Sequence, residues 1–283
     1  MTALVPVVSL VPFWLLALAV VWLPVRLAAD VPYWWFPAAW LAAGATLFLR
    51  PVQVAVLSPL FGARRPTPEE LAVIGPIWRE LAMRNGIPPE RYVVRVLPSD
   101  DLNAFACGGH LVVVTSYAVA ELPEDELAGV LAHELCHHLG FHTVALTAAH
   151  WLSLPIVLLA RIGFFLQNVA RAATDSFASN SAALTAIGQL LAALLTAASW
   201  VFLSALYASD ALANLFGHGT EFEADRRAVR MGYGRPLSRA LRRVIAEGGG
   251  NRAIGWRERL AASHPPARTR VARIEAMLRH PSR

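Results

Sequence analysis

Four stretches of the chain are apolar over about the 20 residues that a helix needs to cross a bilayer. They run from Leu4 to Val25, from Val31 to Leu49, from Thr143 to Ala160 and from Ala182 to Tyr207, and none contains Asp, Glu, Lys or Arg. Arg161 directly follows the third stretch and makes it the weakest of the four. The pattern predicts four transmembrane helices, two in the N-terminal part of the chain and two in its middle.

Other interpretations of these stretches stay open at this point. The first could be a secretory signal peptide, but it lacks a basic n-region and a clear small-residue cleavage site, and a second apolar stretch follows almost at once. These features favour a membrane anchor. The third and fourth stretches could also be buried helices of a soluble core, because an apolar window of that length does not by itself exclude one.

The composition agrees with a membrane protein. Of 283 residues, 56% are hydrophobic and 16% are charged, whereas soluble proteins carry about 25% charged residues. The presence of only two cysteines excludes a secreted disulfide scaffold, and the apolar excess excludes an intrinsically disordered chain. No recognisable nucleic-acid-binding motif surrounds the arginines, so we expect no nucleic-acid partner.

The charged residues concentrate in two blocks of opposite sign. Residues 61–142 contain 6 Arg and 11 acidic residues, a net charge of −5, and residues 208–283 contain 15 Arg and 7 acidic residues, a net charge of +8. Opposite charges would allow the two blocks to dock on each other. Solvated faces on separate modules explain the charges equally well, and the basic block could also lie against anionic lipid headgroups.

The acidic block has the periodicities of a mixed helical and extended region. Helical spacing of apolar residues runs from Thr67 to Asn85, and strands are predicted from Tyr92 to Leu97 and from Leu111 to Thr115, with Ala104 to Ala106 extended between them. Three acidic residues from Glu124 to Glu126 mark the start of a further helix, since acids there complement the helix dipole. Together the patterns predict an α-helical membrane protein with a small β-sheet.

A histidine pair on this last helix has the spacing of a zinc site. His133 and His137 are four residues apart, so both imidazoles leave the same helix face, and Glu134 follows the first of them. In this H-E-x-x-H arrangement the two His bind one Zn²⁺ at about 2.0–2.1 Å, and the Glu reaches the water molecule on the metal. The motif predicts one zinc ion per chain, with Glu134 as the general base.

A neighbouring histidine pair does not complete the site. A catalytic zinc ion needs a third protein ligand. His138 and His142 have the same spacing as the first pair, but Leu139 stands where the base would be. We interpret both as flanking residues near a membrane interface.

A better source for the third ligand lies about 85 residues further on. Thr220 and Glu223 match a capping box, which predicts that a helix begins there. Glu221 and Asp225 would then share one helix face, so that one carboxylate could bind zinc while the other holds a ligating imidazole in the right tautomer. Glu223 is an alternative ligand, although the predicted cap favours a solvated role for it.

These motifs together resemble the HtpX-like membrane zinc metalloproteases, gluzincins related to the CAAX-prenyl proteases. The resemblance rests on His-Glu-Leu-Cys-His at 133–137, Glu-Phe-Glu-Ala-Asp at 221–225 and the two apolar stretches between them. The segment 103–106 resembles the family's segment at the edge of the active-site cleft, and 263–266 with Arg270 resembles its C-terminal His-Pro motif. The similarity covers nearly the whole chain.

The resemblance implies a role for each matching residue. It makes His133, His137 and Glu221 the zinc ligands, Glu134 the base and Asp225 the partner of a ligating histidine.

Two further roles follow from the same resemblance. It implies that Asn103, Ala104, Phe105 and Ala106 form a strand that aligns a peptide substrate by backbone pairing. It also implies that His264 helps to stabilise the oxyanion, although a structural histidine that fixes the chain before a proline is an equal alternative.

The motif positions predict how the chain is divided. We expect two N-terminal transmembrane helices in residues 1–60, the first part of the protease domain with the sheet and the H-E-x-x-H helix in 61–142, a transmembrane hairpin in 143–209, and the second part of the protease domain with the third ligand in 210–283. The predicted ligands must lie on one side of the membrane, which requires an even number of spans between them. The sequence supplies two.

The arginines next to the spans predict the orientation. Arg50, Arg64 and Arg65 follow the second apolar stretch, whereas Arg26 precedes it. By the positive-inside rule this asymmetry favours the cytoplasm for both termini and for the active site of a multi-pass protein of the cell membrane.

The sequence therefore predicts a zinc endopeptidase that hydrolyses membrane or membrane-associated polypeptides, misfolded ones included. One alternative is a catalytically silent zinc-binding scaffold, but a silent site has no need of Glu134. Another is intramembrane cleavage, but the motif precedes the third span and follows the acids Glu124 to Glu126.

Overall fold

The computed structural model describes residues 4–140, 142–178, 181–247 and 266–280. The described helices are α1 (Val5–Ala28), α2 (Trp35–Thr46), α3 (Arg50–Leu60), α4 (Pro68–Arg84), α5 (Ser116–Glu121), α6 (Glu124–Leu139), α7 (His142–Ala173), α8 (Ala182–Arg230), α9 (Gly234–Ala246) and α10 (Ala267–Arg279). The strands are β1 (Val93–Leu97), β2 (Ala104–Cys107) and β3 (Leu111–Thr115). The predicted helical fold with a small sheet is confirmed.

Contacts divide the chain into two compact units, residues 1–44 with 148–213 and residues 45–147 with 214–283.

Three of the described helices are long and apolar enough to cross a membrane. Their apolar stretches are Val7–Ala28, Thr143–Ser176 and Ala182–Ala208. Large apolar side chains on them are exposed, for example Ile187 at 63% and Leu194 at 60%. Since the core of a soluble protein would bury such side chains, this surface suits contact with lipid and argues against the soluble-core interpretation.

The second apolar stretch differs from a single straight span. Helix α2 ends at Thr46, and α3 begins at Arg50 after a bend of 75°. Pro51 explains the break, because its ring would clash with the carbonyl group of Leu47 in a continuous helix. Among the described residues there are therefore three straight candidate spans, or up to four if the bent pair counts as one.

The second unit contains the sheet, in the order β1–β3–β2. β1 runs parallel to β3, and β2 runs antiparallel to it with Ala104 opposite Val114. Every residue of the central strand β3 is buried. The segment predicted to be extended is therefore an edge strand of the sheet.

Helix α6, which belongs to the acidic block, packs against the basic block. It packs against the sheet through Leu127, Leu131 and Leu135. On another side it meets α9 so closely that a Cβ atom added to Gly129 would lie 2.5 Å from the backbone nitrogen of Leu237. The acidic and basic blocks thus dock on each other here.

Ion pairs reinforce this contact. The buried Glu126 pairs with Arg239 at 3.3 Å and with Arg243 at 2.6 Å, and Arg239 also pairs with Asp125. Acids at the start of α6 therefore both complement the helix dipole and hold a basic helix against it.

The prediction that a helix begins at Thr220 is wrong. Helix α8 continues through that position from Ala182 to Arg230. A capping box satisfies the N–H groups of a first turn, and within a continuous helix those groups are already bonded to carbonyl groups of the preceding turn. Glu223 instead forms ion pairs with Arg226 at 2.9 Å and Arg227 at 3.3 Å.

A true capping box occurs at the start of α4. The backbone N–H of Thr67 donates to Glu70 at 2.7 Å, and the N–H of Glu70 donates to the Thr67 hydroxyl at 3.3 Å. Pro68 follows the cap at the first helical position, where its missing N–H costs nothing.

Candidate metal centre

Two helices bring together the three side chains that the sequence predicts as metal ligands. His133 and His137 lie on α6, and Glu221 lies on α8. The Nε2 atoms of the two histidines are 3.1 Å apart, and Glu221 places one carboxylate oxygen 3.4 Å from Nε2 of His133 and the other 3.0 Å from Nε2 of His137. All three residues are buried. The structure thus forms a compact His-His-Glu group that could hold a metal ion.

The donor spacing fits a small ion in tetrahedral coordination. Ligand atoms at about 2.0–2.1 Å from such an ion lie about 3.3 Å from one another. The measured separations of 3.0, 3.1 and 3.4 Å are close to that value.

Glu134 lies beside this group on α6. Its side chain is 3% exposed, and its Oε2 atom has no hydrogen-bond partner among the described residues. Such an unsatisfied buried carboxylate oxygen is costly unless a ligand or water contacts it. Its position next to the metal-ligand group therefore marks it as a functional acceptor.

Asp225 and Arg270 complete the buried cluster. Asp225 on α8 contacts Nδ1 of His133 at 3.0 Å, on the ring nitrogen other than the one nearest Glu221. Arg270 on α10 donates two hydrogen bonds to Asp225, at 2.7 and 3.0 Å, and lies 3.7 Å from Glu221. The guanidinium also lies about 3.1 Å from the His133 ring. One arginine thus neutralises part of the acidic charge around the histidine.

The charges of the cluster also suit a divalent cation. Glu134, Glu221 and Asp225 contribute three formal negative charges and Arg270 one positive charge, which leaves −2 when the histidines are neutral. Burial of uncompensated charge is unfavourable. A 2+ ion balances this charge.

The pKa values show that the acidic groups of the cluster favour a positive charge beside them. Burial and the charge of Arg270 act to lower the pKa of His133, but the hydrogen bonds to Asp225 and Glu221 outweigh them and raise it to about 9. Burial acts to raise the pKa of Asp225, but His133 and Arg270 outweigh it and lower this pKa to about 2. The carboxylate is therefore held ionised beside the histidine.

The resemblance matches Arg270 to the family's C-terminal His-Pro motif, but the sequence did not predict that Arg270 lies in the metal centre. A signal was nevertheless present. Arg270, Val271 and Ile274 are the buried positions of α10, and spacings of three and four residues put them on one helix face. An arginine on the apolar face of an otherwise basic helix needs a buried acidic partner.

His138 has a different environment from His133 and His137. It flanks the metal-ligand group and is not part of it, and its position near a membrane interface stays a prediction. Its ring is buried and stacks on Tyr92 with ring centroids 4.6 Å apart. Its Nε2 donates to the carbonyl group of Leu111 at 3.1 Å, and its Nδ1 accepts from the Thr143 hydroxyl at 3.3 Å. Burial lowers its pKa to about 3. His138 is a neutral residue that fastens α6 to the sheet, and the side chain of His142 lies outside the described structure.

The two cysteines form no disulfide bond. Cys136 lies on α6 between the ligand positions but packs on the other side, among buried residues such as Ala228 and Leu237. Burial raises its pKa to about 12, and burial likewise raises the pKa of Cys107 to about 11. Both thiols are therefore protonated and unreactive near neutral pH.

The predicted substrate segment lies on the edge of the sheet. Asn103 precedes β2 and is held by Thr115, which accepts a hydrogen bond from the Asn103 N–H at 3.2 Å and donates one to its carbonyl at 3.0 Å. Ala104, Phe105 and Ala106 belong to β2, which among the described residues has a strand neighbour on one side only. His264 lies outside the described residues.

Comparison with known proteins identifies the family of the chain. The family model of peptidase family M48 matches residues 68–278, which contain every ligand position named above. The chain belongs to peptidase family M48. It is therefore a metallopeptidase, and its apolar helices make it a multi-pass membrane protein of this family.

Individual relatives agree with the family. A protein named Protease HtpX homolog from Acidiphilium cryptum is 31% identical over 222 residues, with 70% of this chain and 71% of the relative covered. A protein of the same name from Salinibacter ruber is 26% identical, with 79% and 80% covered.

A solved structure shares the fold. The crystal structure of S. mikatae Ste24p matches with a TM-score of 0.52 at 18% identity. The match covers 91% of this chain and 61% of the other. At this identity the match supports the fold alone.

Proposed function

We propose that the protein is a zinc-dependent endopeptidase in which His133, His137 and Glu221 hold one Zn²⁺ per chain. Two imidazoles and one carboxylate are ligands typical of catalytic zinc, which keeps its fourth position for water or substrate. Two features found together carry the proposal: the donor atoms of His133, His137 and Glu221 have tetrahedral spacing, and a buried oxygen of Glu134 beside them is unsatisfied.

Glu134 acts as the general base and then as the general acid. When bound, zinc polarises the scissile carbonyl and lowers the pKa of a water molecule. The unpaired oxygen of Glu134 accepts the proton of that water molecule and later delivers it to the leaving amine. This Oε2 atom is buried and has no competing hydrogen bond among the described residues.

Asp225 positions His133 for metal binding. It accepts a hydrogen bond from Nδ1–H of His133. The lone pair of the ring is then on Nε2, the nitrogen nearest Glu221, where it can bind the metal. Arg270 holds Asp225 through two hydrogen bonds and so fixes both the tautomer and the orientation of the ring.

Strand β2 supports the binding of an extended peptide. Its edge away from β3, which has no strand partner in the part of the chain that the structure describes, offers backbone N–H and C=O groups to a substrate strand, with Asn103, Ala104, Phe105 and Ala106 as the pairing segment. His264 is proposed to stabilise the oxyanion on the basis of sequence similarity. Substrates are membrane or membrane-associated polypeptides, misfolded ones included, because the same chain carries the spans and the site.

The remaining parts of the proposal follow from the sequence. Residues 61–142 and 210–283 supply the two parts of the protease domain, and 143–209 form a transmembrane hairpin between them. The arginine asymmetry around the second apolar stretch supports an active site on the cytoplasmic face of the cell membrane.

Replacement of Glu134 by Gln tests the function. We expect the purified Glu134→Gln variant to bind about one zinc ion per chain, as the wild type does, because Glu134 is not a ligand. Its hydrolysis of unfolded casein and its self-cleavage should fall by a factor of at least 10² to 10⁴, the usual contribution of a general base. Zinc content is measured by elemental analysis, and cleavage is measured by gel electrophoresis.

The matched control is Glu223→Gln, which removes a partly exposed glutamate of α8 whose ion pairs, among the described residues, are with Arg226 and Arg227. This variant should keep wild-type activity. Full activity in zinc-loaded Glu134→Gln would overturn the mechanism. A wild type that binds zinc but cleaves no polypeptide would instead identify a silent scaffold.

A further inference from the structure

Two arginines are placed opposite each other by backbone pairing. The segment that contains Arg64 runs antiparallel to β1, with Arg64 and Val96 joined by reciprocal N–H to C=O bonds of 2.8 and 2.9 Å. In that register Arg65 lies opposite Arg95. Like charges at directly opposed positions are destabilising, so the pair lowers stability unless something else contacts it.

A third arginine joins this pair around an open cleft. Arg50, at the start of α3, lines a cavity of about 520 Å³ together with Arg65 and Arg95, and Val54 and Val93 supply apolar walls. None of the three arginines forms an ion pair with a carboxylate in the part of the chain that the structure describes. Burial and the charges of Arg65 and Arg50 lower the pKa of Arg95. The cleft is thus a concentration of uncompensated positive charge.

A second arginine-lined cavity shows that this arrangement is not general for the protein. Arg84, Arg227 and Arg230 line a cavity of about 530 Å³ at the ends of α4 and α8. There Arg84 pairs with Glu80 at 2.6 Å and Arg227 pairs with Glu223 at 3.3 Å. Carboxylates of the chain itself thus pair with two of the three arginines of that cavity, whereas among the described residues none pairs with the arginines of the cleft at Arg50.

We propose that Arg50, Arg65 and Arg95 form a binding site for a phosphate group. Guanidinium groups bind phosphate oxygens through paired, charge-assisted hydrogen bonds. A bound phosphate would offset the repulsion between Arg65 and Arg95, and the cleft is large enough to admit it.

The surroundings favour the headgroup of an anionic lipid as the source of the phosphate. Arg50 directly follows an apolar stretch of membrane-spanning composition. Leu49, Val56 and Leu60 on the same segment are 53, 51 and 46% exposed. Exposed apolar side chains next to arginines suit a lipid with acyl chains and a charged head. A soluble phosphate would use the arginines alone.

Thermal unfolding of the full chain in detergent tests the site. Short-chain phosphatidylglycerol, short-chain phosphatidylcholine and inorganic phosphate are added in separate arms at constant ionic strength. We expect phosphatidylglycerol to raise the unfolding midpoint of the wild type, since a ligand that binds only the folded state stabilises it. The Arg65→Gln/Arg95→Gln double variant should need about tenfold more lipid for the same shift.

Two further variants keep the test independent of folding defects. Arg65→Lys/Arg95→Lys retains the charge and should keep most of the lipid response. Arg84→Gln/Arg230→Gln changes the other arginine cavity and should respond as the wild type does. Without ligand, the Gln double variant should be at least as stable as the wild type, because the repulsion between opposed charges is gone.

The outcomes separate the two sources of phosphate. A response to phosphatidylglycerol that the Gln variant loses supports the site with a lipid as its ligand. A response to inorganic phosphate that the same variant loses supports it with a soluble ligand. A Gln variant that responds like the wild type, or a wild type that responds to neither, overturns the proposal.

Discussion

Helix α6 carries three histidines within six residues, and they lie in two different environments. His133 and His137 face the carboxylate of Glu221, with donor atoms 3.0 to 3.4 Å apart. His138 faces a backbone carbonyl, a threonine hydroxyl and the ring of Tyr92. The residue type is the same, so the groups that surround each ring decide whether it can bind a metal or only support the fold.

Helix geometry explains why adjacent histidines separate so completely. Positions 133 and 137 are four residues apart and share a face, whereas position 138 is turned by about 100° from position 137. This rotation directs His138 towards β3. The carboxylates of α8 lie on the side of His133 and His137. His138 therefore forms its hydrogen bond with the carbonyl group of Leu111.

The strongest test of this difference is the removal of one ligand. We expect His137→Ala to abolish stoichiometric zinc binding and to lower peptidase activity by at least about 10³-fold, since two donors do not complete a catalytic zinc site. Metal content by elemental analysis and casein cleavage check this. If His137→Ala retained zinc and activity, the ligand assignment would fail.

A smaller effect is expected at the residue that orients a ligand. Asp225→Asn cannot hold His133 as a carboxylate does, and loss of such a partner lowers metal affinity by about 10- to 100-fold. Competition with a zinc chelator measures this affinity. Glu223→Gln on the same helix is the control and should bind zinc as the wild type does. Equal affinities in the two variants would show that Asp225 has no positioning role.

His138 should respond in the opposite way. His138→Phe keeps a ring against Tyr92 but removes the hydrogen bond to Leu111, so we expect the free energy of unfolding to fall by about 1–2 kcal/mol. Zinc content and activity per folded molecule should stay unchanged. Urea unfolding and elemental analysis separate the two quantities, and loss of zinc at unchanged stability would contradict the structural role.

The smallest effect concerns a third side of the same helix. Cys136 is 2% exposed and packs among apolar residues. We expect a maleimide reagent to leave it unmodified in the folded protein and to modify it after unfolding in urea, which mass spectrometry detects. Rapid modification of Cys136 in the zinc-loaded, active protein would show that this side of α6 opens in solution.

The local patterns of the sequence were sufficient for much of the fold and site. The apolar stretches, the start of α6 at three acids and the segment that became β2 each depend on neighbouring residues, and the structure contains all of them. The H-E-x-x-H spacing depends on a single helix. Glu221 and Asp225 could be proposed as a pair for the same reason, because they lie four residues apart.

The features that sequence reasoning missed depend on distant partners. The Thr220 spacing suggests a helix start only if the preceding residues are not helical, and α8 is helical there. The burial of Arg270 likewise depends on how segments that are far apart in the chain pack, whereas the bend between α2 and α3 has a local signal in Pro51. No local pattern specified which acids Arg270 would meet.

The sequence by itself predicted the donor atoms of the site, the apolar helices and the general chemistry of a metallopeptidase. Only the tertiary structure decided that α6, α8 and α10 converge, so that Arg270 reaches Asp225 and Asp225 reaches His133. The physical reason is the distance along the chain over which each interaction acts. Helical spacing fixes side chains relative to their own axis, whereas the partner of a buried charge is set by the packing of helices that are far apart in the chain.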